Sequence, residues 1–282
     1  MDLDGKIALV TGASRGVGAA VALALAEAGC KVACAARSTK DAPQRTAGTL
    51  DDTLDRVRAA GSEGLAVPTN LGNRDEVRSM VARTAEHFGG VDILINNAAV
   101  QFVGELNQPE HRHDLTFAVN YFAPLIATQA VTPIMAARGG GAIINVSSLA
   151  ALVPFPDMLS YGASKLALER LTLATARELY PQGIAANVFR IDIAVASEGF
   201  LVNMPGVDHS SWEPPAVAAE GILWMLRQPL DYTGQRESMY HLSEREGIMK
   251  SRAANPQPRT ATATELWNGR YHDTVSHYVE PY

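Results

Sequence analysis

The stretch ALVTGASRGVGAAVALALA, residues 8–26, constrains this chain more than any other. A short apolar run over 6–10 enters a turn carrying Gly12, Gly16 and Gly18 at the spacing G-x-x-x-G-x-G. An alanine- and leucine-rich run over 17–29 leaves it and closes on Gly29. The first run reads as a buried strand and the second as a helix with glycine at its C′ position. Glycine tolerates positive φ and lets a ligand approach the backbone. The helix start offers unpaired N–H groups and the positive end of the helix dipole. A pyrophosphate suits that place, so the unit reads as the strand–turn–helix of a dinucleotide-binding βαβ fold. The turn has no G-K-[ST] ending, which disfavours a nucleoside-triphosphate P-loop.

The same alternation continues along the 282 residues. Further strands are expected at 31–36, 64–70, 91–99, 141–148, 183–191 and 237–242, and helices at 49–61, 74–90, 109–137, 160–179 and 215–227. The long helix 109–137 is expected to be interrupted near Pro124 and Pro133. Strands alternating with helices imply right-handed crossovers and a Rossmann-type, doubly wound, mostly parallel seven-stranded sheet with helices on both faces. No internal repeat or low-complexity linker divides the chain. Composition shifts only near residue 244, so a single catalytic domain over 1–244 is expected. An extension over 245–282, aromatic at Trp267, Tyr271, Tyr278 and Tyr282, is expected to pack on the domain or on a neighbouring subunit.

Composition excludes several classes. A net charge of −6 without a Lys/Arg block argues against nucleic acid as a partner. No run nears ~18 uninterrupted apolar residues, so no membrane span is expected. The acidic start MDLDGKIALV is unlike a signal peptide, and a cytoplasmic location is the expectation. Cys30 and Cys34 are too few for a disulfide framework or a zinc site and read as buried thiols. His111 and His113, two apart, would splay on a helix and read as surface residues. With His209, His241, His272 and His277 they show no ligand spacing, so no metal is expected.

The end of the second strand bears on which dinucleotide is held. A carboxylate there usually takes the ribose 2′-OH of NAD. Here Ala36 stands in that place, Arg37 follows, and Arg15 lies in the glycine turn. Two guanidiniums suit a 2′-phosphate, each worth at most about 4 kcal/mol at ~4 Å before screening. The expectation is NADP(H) over NAD(H). If both arginines are solvated surface charges, that preference is absent.

The stretch LSYGASKLALERL, residues 159–171, places Tyr161 and Lys165 four apart on one helix face. A phenol with pKa near 10 is a poor acid–base group at neutral pH. A neighbouring ammonium favours the phenolate and lowers that pKa. Alone, a Y-x-x-x-K pair is common on exposed helices.

Taken together, TGASRGVG, NNAA, the VN at 119–120, IINVSS and YGASK follow one another in the order and spacing of the short-chain dehydrogenase/reductase family. The resemblance covers roughly residues 5–242. It implies a catalytic set of Asn120, Ser148, Tyr161 and Lys165. Tyr161 would be the general acid/base, Ser148 would hold the substrate oxygen, Lys165 would hold the nicotinamide ribose, and Asn120 would complete a proton relay. It further implies a cofactor set of Gly12, Ser14, Arg15, Gly16, Val17, Gly18, Arg37, Asn70, Leu71, Asn97, Ala98, Tyr161, Lys165, Ile193 and Ser197. Family members commonly form homodimers or homotetramers, and the same is expected here.

The chain also departs from the family pattern. Ala99 stands where NNAG usually ends, and Asn70 where an aspartate often faces the adenine. Ile191 and Asp192 replace Pro-Gly after the sixth strand, with Asp192 read as a turn residue or, alternatively, as one that reaches the substrate pocket. Ser197 is read in place of the usual threonine, or else Ala196 fills that place without its hydroxyl. The long segment after the second strand is similar to that of hydroxysteroid dehydrogenase-like members. Loops 99–108, 149–159 and 198–214 supply Phe102, Val153, Phe155, Phe200 and Met204 as candidate substrate contacts. The expected activity is NADP(H)-dependent interconversion of a hydrophobic ketone or aldehyde and its alcohol. Two alternatives stay open: a cofactor-binding sensor or scaffold without turnover, and a lyase or epimerase on the same fold.

Overall fold

A computed structural model describes residues 1–204 and 206–259. The aromatic residues expected to dock the extension, Trp267, Tyr271, Tyr278 and Tyr282, lie outside the described residues.

The first half of the sheet is laid down by three right-handed units. Strand β1 (Ile7–Thr11) feeds helix α1 (Gly16–Glu27), β2 (Lys31–Ala36) feeds α2 (Leu50–Ala59), and β3 (Gly64–Pro68) feeds α3 (Arg74–Phe88). Local chemistry sets the helix starts. Thr49 and Asp52 form a reciprocal capping box at α2, and the Asn73 side chain accepts from Asp75 N and Glu76 N at α3. Acidic residues sit in the first turns of both helices. Helix α1 differs: Arg15 at its N-cap makes no side-chain capping bond, and its first turn carries no acid.

The second half begins with β4 (Ile93–Asn96) and helix α4 (Glu110–Phe117). A π-helical turn over Ala118–Phe122 joins α4 to α5 (Ala123–Ala137). Strand β5 (Gly141–Ser148), helix α6 (Leu159–Leu179) and strand β6 (Ile184–Ile191) follow. Then come the short α7 (Glu198–Asn203), α8 (Pro215–Leu226), β7 (Arg236–Ser238) and α9 (Met239–Glu246). The seven strands are all parallel in the order β3-β2-β1-β4-β5-β6-β7. The order reverses between β1 and β4, which opens a crevice at their carboxyl ends.

Every central strand is covered on both faces, and the two-residue period shows which residue goes where. Val10, Cys34, Ile95 and Ile144 join α1, α2 and α8 in one core layer. Leu9, Ala33, Leu94 and Ile143 join α3 and α5 in the other. Cys30 and Cys34 are fully buried, and burial pushes both thiols up to about 12.

Three expectations need correction. The break in the long helix is the π-helical turn just before Pro124, whereas Pro133 is accommodated inside α5. The last strand ends at Ser238, not at residue 242. The Ser238 hydroxyl accepts from His241 N and so starts α9 where continued strand was expected. His113 is not a free surface residue, because its Nδ1 lies 2.6 Å from Ser160 Oγ. No helix among the described residues is long and apolar enough to cross a membrane.

Candidate active site

A cleft of about 690 Å³ lies over the carboxyl ends of the strands. One wall is the glycine turn. Gly12 and Gly16 have φ of +67° and +57°, a region that costs other residues strain. A Cβ on Gly12 would sit 2.8 Å from Ala98 Cα, and one on Gly18 only 2.3 Å from Gly12 O. Gly18 therefore does not line the cleft; it lets α1 pack against the turn. Asn97 locks the turn from β4, donating from Nδ2 to Thr11 O at 2.9 Å. The Thr11 hydroxyl accepts from the backbone of Asn97 and Ala98.

Ser14, Arg15, Gly16, Val17, Arg37, Asn70, Leu71, Asn97 and Ala98 all line this end. Arg15 donates from Nη2 to Gly48 O at 2.9 Å, while its buried Nε has no partner. Burial lowers the Arg15 pKa, Glu198 opposes that shift, and neighbouring Arg37 adds to it. An orphaned donor and two adjacent cations want an anion. With the uncapped start of α1, they fit the phosphates of a dinucleotide. Ser38 and Gln44, from the long segment after β2, line the same end and were not singled out from the sequence. Only the length of that segment hinted at them.

The opposite wall carries the polar side chains of β5 and α6. Ser148, Tyr161 and Lys165 all line it. Crowding around the ring pushes the Tyr161 phenol above its usual value, and a hydrogen bond with Ser148 pulls the other way. Lys165 is 2% exposed and donates from Nζ to Val146 O at 2.7 Å, with Nζ 5.8 Å from the Tyr161 ring centroid. Burial lowers its pKa to about 8, against the raising effect of Glu169. The lowering expected from the ammonium is outweighed in this geometry by burial of the phenol.

Asn120 is fully buried in the π-helical turn. Its side chain is spent on structure, accepting from Val100 N at 2.9 Å and donating to Val100 O and Ser164 Oγ at 3.0 Å each. Pro124 has no N–H to offer the Asn120 carbonyl four residues back, in keeping with the π-helical bonding of this turn. Ser147 also lines the cleft, but its hydroxyl is turned to α6, donating to Glu169 Oε1 at 2.7 Å.

Ile193 and Ser197 line the cleft beyond β6. Asp192 lines the cleft as well, with its carboxylate held by the next turn: Oδ2 accepts from the Ser238 hydroxyl and Oδ1 from Tyr240 N. Of the substrate candidates, Phe155, Phe200 and Met204 line the cleft; Phe102 and Val153 do not. The Phe102 ring is taken by the Arg112 guanidinium at 5.1 Å. Val153 is used in the turn after β5, where its N–H donates to Leu149 O. Phe200 stacks on Trp212 with centroids 4.9 Å apart. Met158, Leu149 and Gln101 join the lining. Among the described residues no His, Cys, Asp or Glu cluster could hold a metal ion.

Comparison with known proteins agrees with this architecture. The family model described as short chain dehydrogenase matches residues 6–193. Dehydrogenase/reductase SDR family member 4 of Bos taurus is 40% identical over 187 residues, 66% of this chain and 64% of that one, so the match spans less than two thirds of that relative's length. The crystal structure of a short chain dehydrogenase from Burkholderia cenocepacia in complex with NADP superposes with a TM-score of 0.73 at 30% identity, over 84% of this chain and 97% of that one. A 7α-hydroxysteroid dehydrogenase complexed with NADH and 7-oxo glycochenodeoxycholic acid gives a TM-score of 0.75 at 25% identity, over 84% of this chain and 93% of that one. With a family model matched across two thirds of its length, this chain belongs to the short-chain dehydrogenase/reductase family.

Proposed function

We propose that the protein reduces hydrophobic ketones or aldehydes, and oxidises the matching alcohols, with NADP(H) preferred over NAD(H). The observation that carries the reading is a single cleft with Ser148, Tyr161 and Lys165 on one wall and the glycine turn with Arg15 and Arg37 on the other. Arg15 and Arg37 would hold the 2′-phosphate, the start of α1 the pyrophosphate, and Lys165 the nicotinamide ribose. The bound cofactor supplies or accepts the hydride.

The chain's own residues handle the proton. As a carbonyl oxygen gains charge, the Tyr161 hydroxyl donates to it, and Ser148 donates a second hydrogen bond that fixes the oxygen in place. Lys165 as an ammonium favours the phenolate left on Tyr161. The Asn120 carbonyl is the acceptor through which a relay could return a proton towards Lys165. Leu149, Phe155, Met158, Phe200 and Met204 give the substrate end an apolar lining, suited to a hydrophobic substrate. We further propose that residues 1–244 form the catalytic domain, that 245–282 extend it, and that the chain assembles as a homodimer or homotetramer.

A panel of hydrophobic ketones assayed with NADPH and NADH tests the reading. Stoichiometric NADPH oxidation, at a higher kcat/KM than with NADH, is expected. Arg37→Asp is expected to reverse the cofactor preference, by ten- to a few-hundredfold for a lost charge–phosphate contact of about 1.5–3 kcal/mol. Equal or better kcat/KM with NADH in the unaltered protein rejects the preference. Cofactor binding without consumption favours the sensor or epimerase alternatives.

A further inference from the structure

Behind the cleft wall lies a buried charge network that the proposed chemistry does not use. Glu169 is 1% exposed and sits one helical turn beyond Lys165, so Tyr161, Lys165 and Glu169 fall on one face of α6. Its Oε1 accepts from Arg190 Nε at 2.8 Å and from Ser147 Oγ at 2.7 Å, and its Oε2 accepts from Arg190 Nη2 at 2.6 Å. Arg190 is 4% exposed. Arg236 of β7 approaches the same carboxylate at 3.9 Å.

The register makes this network an alignment device. Arg190 on β6 lies directly opposite Ser147 on β5, and Ile191 opposite Ser148. One carboxylate on α6 thus grips two adjacent strands at the level where they enter the cleft. Three successive residues of β5 are tied to three successive turns of α6. Ser148 bonds Tyr161, Val146 O accepts from Lys165, and Ser147 bonds Glu169.

We propose that Glu169, held by Arg190, is a positioning residue: it locks α6 onto β5 and β6 and keeps a carboxylate behind Lys165, so that the lysine faces the cleft as an ammonium. This rests on the proposed role of Lys165 in the reaction. Stability alone gives no reason for a buried ion pair here, because apolar residues of similar volume hold buried elements together as well or better.

The other groups packed around Lys165 leave Glu169 as its main electrostatic partner. On α6 the remaining titratable neighbour is Tyr161. Within β5, α5 and the turn at 149–151 no residue is charged. From β6 come Arg190 and Asp192, the latter bonded to Ser238 and Tyr240 N. Strand β7 presents Arg236, together with Glu237, which is paired with Arg245. On α4, His113 bonds Ser160, Arg112 lies over Phe102, and Glu110, His111 and Asp114 are exposed. The π-helical turn contributes Tyr121, which meets Phe122 edge to face.

The test reads the lysine directly. Competitive labelling of the Lys165 amine by a small electrophile admitted through the cleft, followed by mass spectrometry across the neutral-to-alkaline range, gives its titration midpoint. The comparison sets the unaltered protein against Glu169→Leu/Arg190→Met and Glu169→Asp. The double variant removes both charges without stranding either. Its midpoint is expected to fall by about one pH unit, the shift typical of losing a close opposite charge. The alkaline limb of kcat should move with it while KM for the ketone holds, and Glu169→Asp should keep the original midpoint. If the double variant does not fold, Glu169→Gln should lower the midpoint at least as far, because it leaves the Arg190 cation uncompensated.

A midpoint that stays in place in the charge-free variant, or moves equally in Glu169→Asp, overturns the proposal. The labelling needs neither cofactor nor turnover. A protein inert to every ketone would therefore sink the proposed function while still answering this question.

Discussion

The sharpest chemistry sits in two side chains that oppose each other. Burial holds the Tyr161 phenol up and brings the Lys165 ammonium down to about 8. If Tyr161 is the proton donor, Tyr161→Phe should cut kcat by at least ~10³-fold, in line with losing an acid–base group. The Kd for NADPH should stay within a few fold, and retained turnover would refute the assignment. Lys165 makes a stability prediction as well. Its folded pKa lies below the unfolded value near 10.5, so between about 8 and 10.5 the unfolded chain binds more protons. Stability from this group therefore rises with pH across that window, by at most roughly 3 kcal/mol. The buried thiols act oppositely, because the unfolded chain sheds their protons first. The measurement is hence a difference: urea unfolding of the unaltered protein and of Lys165→Met at several pH values through the window. The gap between them should shift in favour of the unaltered protein as pH rises, and a constant gap would show that Lys165 titrates as it does in water.

At the scale of elements, the glycine turn predicts the cost of one methyl group. A Cβ at Gly18 would meet Gly12 O at 2.3 Å and Asn97 Nδ2 at 2.5 Å, both part of the turn's own lock. Gly18→Ala should lose about 1–3 kcal/mol by overpacking, seen in denaturant unfolding. NADPH affinity should drop more than tenfold as the turn shifts; unchanged affinity would mean that the turn is not the pyrophosphate cradle. This turn was legible in the sequence because its glycines have few other uses beside a strand and a helix. So were the seven strands, since buried parallel strands read as short apolar runs between glycines. The misses share a cause, namely polar side chains acting over distances that periodicity does not report. Ser238 ended β7 by capping α9. Phe102 left the cleft because Arg112 lay beneath it. Glu169 and Arg190, 21 residues apart, belong to no motif, and only the register of β5 and β6 brings them together.

Over the whole molecule, the stretch after α9 is tied back into the site. Met249 is fully buried against Gly221 and Phe189, filling a gap beside α8. Glu213, 2% exposed, accepts from Arg252 N and Arg259 Nη2 at 2.8 Å each. Burial alone would raise the Glu213 pKa, but its bonds to Ser251, Arg259 and Arg252 leave it lowered. Glu213 also exchanges backbone bonds with Ala194 and Ala196, and Ala194 lines the cleft next to Ile193. Residues 249–259 thus brace, through Glu213, residues 194–196 on the cleft side of β6. Two truncations separate this brace from whatever lies beyond it. Ending the chain after Arg259 should leave unfolding unchanged if the brace is sufficient. Ending it after Glu246 should cost roughly 3–5 kcal/mol, from the unpaired buried carboxylate and the gap left by Met249. NADPH binding should weaken as Ile193–Ser197 loosens. Glu213→Gln in the full chain isolates the charge. Since the lowered carboxylate contributes stability above the ordinary carboxylate range and loses it as pH falls, the full chain and Glu213→Gln should converge in acid and diverge at neutral pH. Parallel curves would place the bracing in Met249 alone.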